Sequence, residues 1–225
     1  MTNYQWILIV LIGIVGFIVQ ARLRSVFSKY SKTSLQRGMT GADIARMMLR
    51  DNGISDVQVV PARGTLTDHY NPKTRTVGLS EGVYNSNSIA AAAVAAHECG
   101  HAVQHARAYA PLEMRSALVP VISFASSLST WVVLAGILLI NTFPILFWAG
   151  IAMIAASALF ALITLPVEFN ASERAMEWLK ASRTLNGEEV AQAKAPLNWA
   201  AATYLVAALA AVATLLYYLS FARRS

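Results

Sequence analysis

The chain has 225 residues, 56% of them hydrophobic and only 13% charged, with a mean hydropathy of +0.49. An ordinary soluble domain carries about a quarter of its residues as charges, so this composition excludes one and implies a membrane protein. The formal charge of +6 and a pI near 9.7 mark the flanks of membrane spans rather than a nucleic-acid partner, and the single cysteine, Cys99, excludes an internal disulfide.

Tyr4 to Ala21 is an uncharged apolar run with Trp6 near one end. At about 1.5 Å per residue it just crosses a hydrocarbon core. No positive region precedes it, and Val19-Gln20-Ala21 makes a poor cleavage site, so it reads as a retained anchor rather than a signal peptide. Arg22, Arg24, Lys29, Lys32 and Arg37 follow as a basic collar.

From Thr40 to about Pro111 the composition is that of a small soluble domain. Thr40 is placed to cap a helix over Ala42 to Asp51, which Asn52-Gly53 ends. Strands are expected at Val57 to Val60, Thr65 to Thr67 and Thr74 to Ser80, with Asp68-His69-Tyr70-Asn71-Pro72 as a turn cluster. These make a small antiparallel sheet with Thr76 to Ser80 as its edge, where an extended peptide can pair by backbone hydrogen bonds. An ordinary strand with no substrate role fits the spacing as well.

Next comes an alanine-rich stretch, Ile89 to His105, with the cluster Asn85 to Ser88 before it to supply an N-cap. It reads as a helix and carries His97-Glu98-Cys99-Gly100-His101. Four residues return to within about 40° on a helix, so His97 and His101 project from one face and can share a metal ion. Zinc held by two neutral imidazoles and a third protein ligand keeps one position for a water of lowered pKa. Glu98, beside the first histidine, can take that water's proton and pass it to a leaving amine. A chance match on a packing helix is the bland alternative, but a charged Glu98 in such apolar company is costly to bury without a partner. Cys99 points away from the histidine face and reads as a small core residue.

No charge occurs from Ser116 to Val167, enough for two spans broken at Asn141-Thr142-Phe143-Pro144. Charges resume with Glu168, on a helix expected to begin at the membrane surface after Pro166 and to end at Asn186-Gly187. A short charged helix over Glu188 to Lys194 and a fourth span from Leu197 to Leu219 complete the chain. Twelve lysines and arginines lie between the first span and the hairpin, and four (Arg174, Lys180, Arg183, Lys194) between the hairpin and the last span. The positive-inside bias makes that shared side cytoplasmic, with Arg223-Arg224 as a minor conflict on the other side.

A hydrolytic zinc site needs a third ligand. His105 is one turn beyond His101, and a straight helix cannot bring it to the same ion. His69 suits a ligand or a substrate or transition-state contact about equally. Glu168 suits the role best, returned to the catalytic side by the hairpin; an interfacial carboxylate satisfied by water or Arg174 is its bland alternative.

The chain resembles the YugP-type membrane zinc metallopeptidases and, more distantly, the HtpX and Ste24-type membrane proteases. The resemblance rests on Leu66-Thr67-Asp68-His69-Tyr70-Asn71-Pro72, Leu79-Ser80, Val94 to Ala102, Tyr109-Ala110-Pro111-Leu112 and Leu165 to Ser172, in that order. It implies His97 and His101 as zinc ligands, Glu98 as the base, and Glu168 as third ligand. Asn170 stands where the family usually has aspartate, and Ser172 where related zinc peptidases often place one. Ligating histidines commonly give their second N–H to a carboxylate, so here a hydroxyl or a backbone carbonyl must orient the imidazole.

The expected architecture is α+β: a small antiparallel sheet and a zincin-like metal helix on a frame of about four transmembrane helices. Residues 1–21 form the anchor, 22–115 the catalytic domain, 116–167 the hairpin, 168–195 the third-ligand helix and linker, and 196–225 the last span. The expected function is an integral-membrane endopeptidase of the bacterial plasma membrane, with one Zn2+ and an active site on the cytoplasmic face. Glu98 is the base, His97, His101 and Glu168 the ligands, His69 and Tyr70 substrate or transition-state contacts, and Asn170 and Ser172 supports behind the ligands. Its partners are the bilayer and unfolded or membrane-proximal polypeptide. The alternative, from a different class, is a catalytically inactive, zinc-stabilised membrane scaffold or adaptor.

Overall fold

The computed structural model describes residues 3–222. Arg223-Arg224 and the side chains of Tyr4 and Trp6, on which the reading of the first and last spans drew, lie outside the described residues. The elements in order are α1 (Asn3–Tyr30), α2 (Gly41–Asp51), β1 (Gln58–Ala62), β2 (His69–Asn71), β3 (Thr76–Ser80), α3 (Glu81–Tyr84), α4 (Ile89–Ala106), α5 (Ala110–Leu138), α6 (Pro144–Ala181) and α7 (Gly187–Ala222). The fold is α+β, with four helices long and apolar enough to cross a membrane: Ile7–Tyr30, Ala110–Leu138, Pro144–Ala181 and Gly187–Phe221. The chain divides into two compact units, one of Met1–Ile18, Glu113–Pro166 and Thr203–Ser225, the other of Val19–Leu112 and Val167–Ala202.

In the first unit α5 and α6 pack backbone to backbone. A Cβ at Gly136 would stand 2.5 Å from Phe147 Cα, so only hydrogen allows the approach that buries Val133, Phe147 and Ile151 together. Small residues serve this purpose between membrane helices, where lipid removes the hydrophobic drive for association. Phe17, Trp131 and Leu138 remain 70–84% exposed, as side chains that face hydrocarbon do.

The second unit holds a conventional core of Ile44, Met48, Val77, Leu79, Ile89 and Leu179. Its α2 opens with a capping box: Thr40 Oγ1 accepts from the Asp43 amide at 3.2 Å, and the Asp43 carboxylate accepts from the Thr40 amide at 3.0 Å. α4 starts at Ser88, whose hydroxyl accepts from the Ala91 amide at 3.2 Å. Fourteen of its 18 residues are buried, the pattern of a helix enclosed on every side. Alanine suits that setting because neighbouring elements can approach closely and no side-chain freedom is lost on burial.

Several expectations need correction. The sheet is mixed: β2 and β3 are antiparallel, with Tyr70 opposite Val77, but β1 and β3 are parallel, with Val59 opposite Val77. The strand order is β1-β3-β2, so Thr76–Ser80 is the central strand and not an edge. Four of its five residues are buried, as befits a strand with neighbours on both sides. The strand expected at Thr65 to Thr67 does not form, since Leu66 has φ +58°, outside the extended region. Asp68 then accepts from the Ser80 amide at 2.7 Å and from its hydroxyl at 3.0 Å, which places the supposed turn residues His69–Asn71 on β3 as β2. Finally, α6 and α7 run unbroken through Pro166 and Pro196. A proline removes only one ladder bond, and surrounding packing can hold the helix through it.

The second unit also contains the closest crossing that matters for chemistry. A Cβ at Gly100 of α4 would lie 2.5 Å from the Ala171 carbonyl oxygen of α6. Gly100→Val should therefore force the two helices apart, at a cost of about 1–3 kcal/mol. Thermal unfolding in detergent is expected to show the midpoint falling relative to wild type.

Candidate metal centre

Gly100 lies between His97 and His101 on α4, and Ala171 lies between Glu168 and Ser172 on α6. The contact between these small residues brings the polar faces of the two helices together. His97 Nε2 stands 3.3 Å from Glu168 Oε2, and His101 Nε2 stands 3.6 Å from the same oxygen. All three ligand atoms lie within 4.8 Å of one another, and His97, His101 and Glu168 are a group that could hold a metal ion.

The donor set suits zinc. Bonds of about 2.0–2.1 Å in a tetrahedron imply ligand atoms roughly 3.3–3.4 Å apart, close to the two separations observed. Glu168 is 2% exposed and His101 7%, so the donors face one another away from solvent. Burial disfavours the His101 imidazolium, but the Glu168 and Glu98 carboxylates and Gln104 outweigh it and raise the His101 pKa. The pocket is thus one that favours positive charge. Glu98, on the same helix turn, is also buried at 9% exposure.

Behind the ligands, the Ser172 hydroxyl lies 3.0 Å from His97 Nδ1, where the sequence called for a hydroxyl or a carbonyl. His101 Nδ1 donates to Gln104 Oε1 at 3.0 Å, a partner that sequence reasoning missed. Its signal was present, since Gln104 follows His101 by three residues and so shares its helix face. Asn170 Oδ1 accepts from Gln104 Nε2 at 3.0 Å and from Arg174 Nε at 2.7 Å. Arg174 therefore reaches Asn170.

The remaining residues singled out from the sequence lie apart from this group. Tyr70 and His105 pair with each other, the hydroxyl 2.7 Å from Nδ1. His69 stands on β2 with Nδ1 donating to the Thr67 carbonyl at 2.8 Å and its ring over Gly78. Neither His69 nor His105 belongs to the three-residue ligand group among the described residues. Cys99 is fully buried, its sulfur 3.5 Å from the Ala45 carbonyl, and burial pushes its thiol pKa well up.

Comparison with known proteins gives this geometry a family. The family described as "Putative neutral zinc metallopeptidase" matches residues 5–223. The chain belongs to that zinc metallopeptidase family. It is also 44% identical over 205 residues to the "Putative membrane protease YugP" of Bacillus subtilis (strain 168), covering 90% of this chain and 89% of the relative. No solved structure matches the chain. Family membership, the relative and the four apolar helices make this an integral membrane protein of zinc-peptidase lineage.

Proposed function

We propose that the protein is a zinc-dependent endopeptidase whose ion is held by His97, His101 and Glu168, with Glu98 as general base. One observation carries this reading: two imidazole nitrogens on α4 face a single carboxylate oxygen on α6 within 3.6 Å, with Glu98 adjoining the first of them in sequence. A zinc ion bound there supplies a Lewis acid that polarises a peptide carbonyl and acidifies water. The neutral imidazoles leave the group with Glu168 as its one anionic ligand, so the bound site keeps net positive charge for a developing oxyanion. Glu98 takes the proton from the attacking water and returns it to the leaving amine, a carboxylate serving in turn as base and acid.

The polypeptide is extended when cut. β3 is enclosed by both neighbours, which leaves β1 and β2 as the outer strands; the pairing edge is β2, because it carries His69 and Tyr70 and packs against the metal helix. A segment laid along β2 gains backbone hydrogen bonds and is read only loosely for sequence. His69 Nε2, left as an acceptor by the bond its Nδ1 donates, and the Tyr70 hydroxyl are the contacts offered to that segment. The basic excess on the segments joining the spans supports a site on the cytoplasmic face of the plasma membrane.

Purified protein loaded with zinc in detergent is expected to cleave a casein-like unfolded chain and to spare a compact folded domain. Glu98→Gln should keep its zinc while kcat drops by about 10²–10⁴-fold, the usual worth of a positioned acid–base group. Undiminished turnover in that variant would remove the mechanism, and a zinc-loaded wild type that cuts nothing would point to the scaffold instead.

Metal content separates the ligands from their neighbours. Glu168→Ala should lose most of its zinc by elemental analysis, whereas His105→Ala, altering only the partner of Tyr70, should retain it. The reverse result would refute the ligand set.

Orientation is open to thiol labelling, because the native Cys99 is buried and silent. In intact cells a cysteine at the exposed position Glu188 should resist a membrane-impermeant maleimide, and one at the exposed Asn141 should react. Labelling at Glu188 alone would put the site outside the cytoplasm.

A further inference from the structure

Gln104 is the most thoroughly enclosed polar side chain beside the ligand group, with 0% exposure. A buried amide must satisfy both ends, and here each end has a distinct duty. Its Nε2 donates to the Val167 carbonyl at 2.8 Å and to Asn170 Oδ1 at 3.0 Å. A backbone carbonyl can only accept, so this end must be the nitrogen and the other the oxygen. The oxygen faces His101 Nδ1 at 3.0 Å, which must then carry the proton, leaving the Nε2 lone pair directed at Glu168. Asn170 is fixed in the same way, because Arg174 Nε, itself a donor, lies 2.7 Å from its oxygen.

Two consequences follow from this chain of donors. Gln104 selects the tautomer of His101, and it also ties α4 to Val167 and Asn170, one residue before and two residues after Glu168 on α6. His97 is held differently. Its partner is the Ser172 hydroxyl, which can rotate to donate or to accept and so selects no tautomer.

We propose that Gln104 is a positioning residue of the metal centre: through a relay from half-buried Arg174 and Asn170 to buried Gln104 it fixes the ligating tautomer of His101 and the spacing between His101 and Glu168. The proposal rests on the ligand set given above. It also assigns a neutral amide to the place where a carboxylate commonly supports a metal-bound histidine. A neutral acceptor donates less electron density to the imidazole than a carboxylate does, which favours a more electrophilic ion over a more tightly held one.

The test uses the full-length protein in detergent with Gln104→Met, which keeps the side chain's length and removes its hydrogen bonds. Zinc affinity by chelator competition should fall by about 10–100-fold, the range for losing such a support. At saturating cobalt, the visible spectrum of the variant should differ from wild type, a change that a uniform loss of stability does not produce. Ser172→Ala should lose less affinity than Gln104→Met. Asn170→Asp, which keeps an acceptor facing both Gln104 and Arg174, should bind zinc as wild type does, whereas Asn170→Leu should weaken it. That half-buried position carries the test if Gln104→Met does not fold. Wild-type affinity and an unchanged cobalt spectrum in Gln104→Met, or in Asn170→Leu where it stands in, would overturn the role of Gln104 while leaving the ligand set intact. A wild-type protein that takes up neither zinc nor cobalt would remove both.

Discussion

A carboxylate as deeply enclosed as Glu168 is the constraint on which this structure turns. Ionised and alone at 2% exposure it would be untenable, since the desolvation of an isolated charge far exceeds what packing returns. The fold answers with two imidazoles directed at one of its oxygens. Their approach in turn requires that α4 and α6 touch at Gly100 and Ala171, and that contact requires α4 to be threaded through the core as a nearly bare alanine helix. Each step is a demand for smallness imposed by a single charge.

Much of this was legible in the chain. The His-Glu-x-x-His spacing, the Ser88 and Thr40 caps, and the break at Asn141–Pro144 are local signals, decided within one or two helical turns. Glu168 was legible for a different reason, since it opens the charged stretch that the hairpin returns to the site, and Ser172 was legible through the resemblance alone, at the position where related zinc peptidases often place an aspartate. Gln104 shares the helix face of His101, but glutamine carries no charge and no metal preference, and only its 0% exposure and three partners mark it out.

What could not be read was set by distant partners. Nothing within Thr76–Ser80 states that both its edges are paired, although the unbroken burial from Val77 to Ser80 is what a central strand leaves in its composition. The positive φ of Leu66 likewise sits just before Asp68, which reaches across to Ser80, twelve residues away. Pro166 reads locally as the start of a new helix, and the charged stretch Glu188 to Lys194 reads as separate from the apolar run that follows it, because a proline usually interrupts a helix. Here the helices that contain Pro166 and Pro196 are held by their surroundings, and the ligand turn of α6 is the direct continuation of its apolar stretch.

The enclosure of α4 has a genetic consequence. At eight of its positions the side chain is alanine or glycine with neighbours on all sides, so nearly every codon change there adds volume to a place with none to spare. The stretches of α1 and α5 that expose Phe17, Trp131 and Leu138 ask only for apolarity and can exchange leucine, isoleucine, phenylalanine and valine at little cost. Random mutagenesis scored by protein abundance should thus find its intolerant positions gathered on the metal helix, including many that touch no ligand, and a functional screen alone would overstate how many of those residues take part in chemistry.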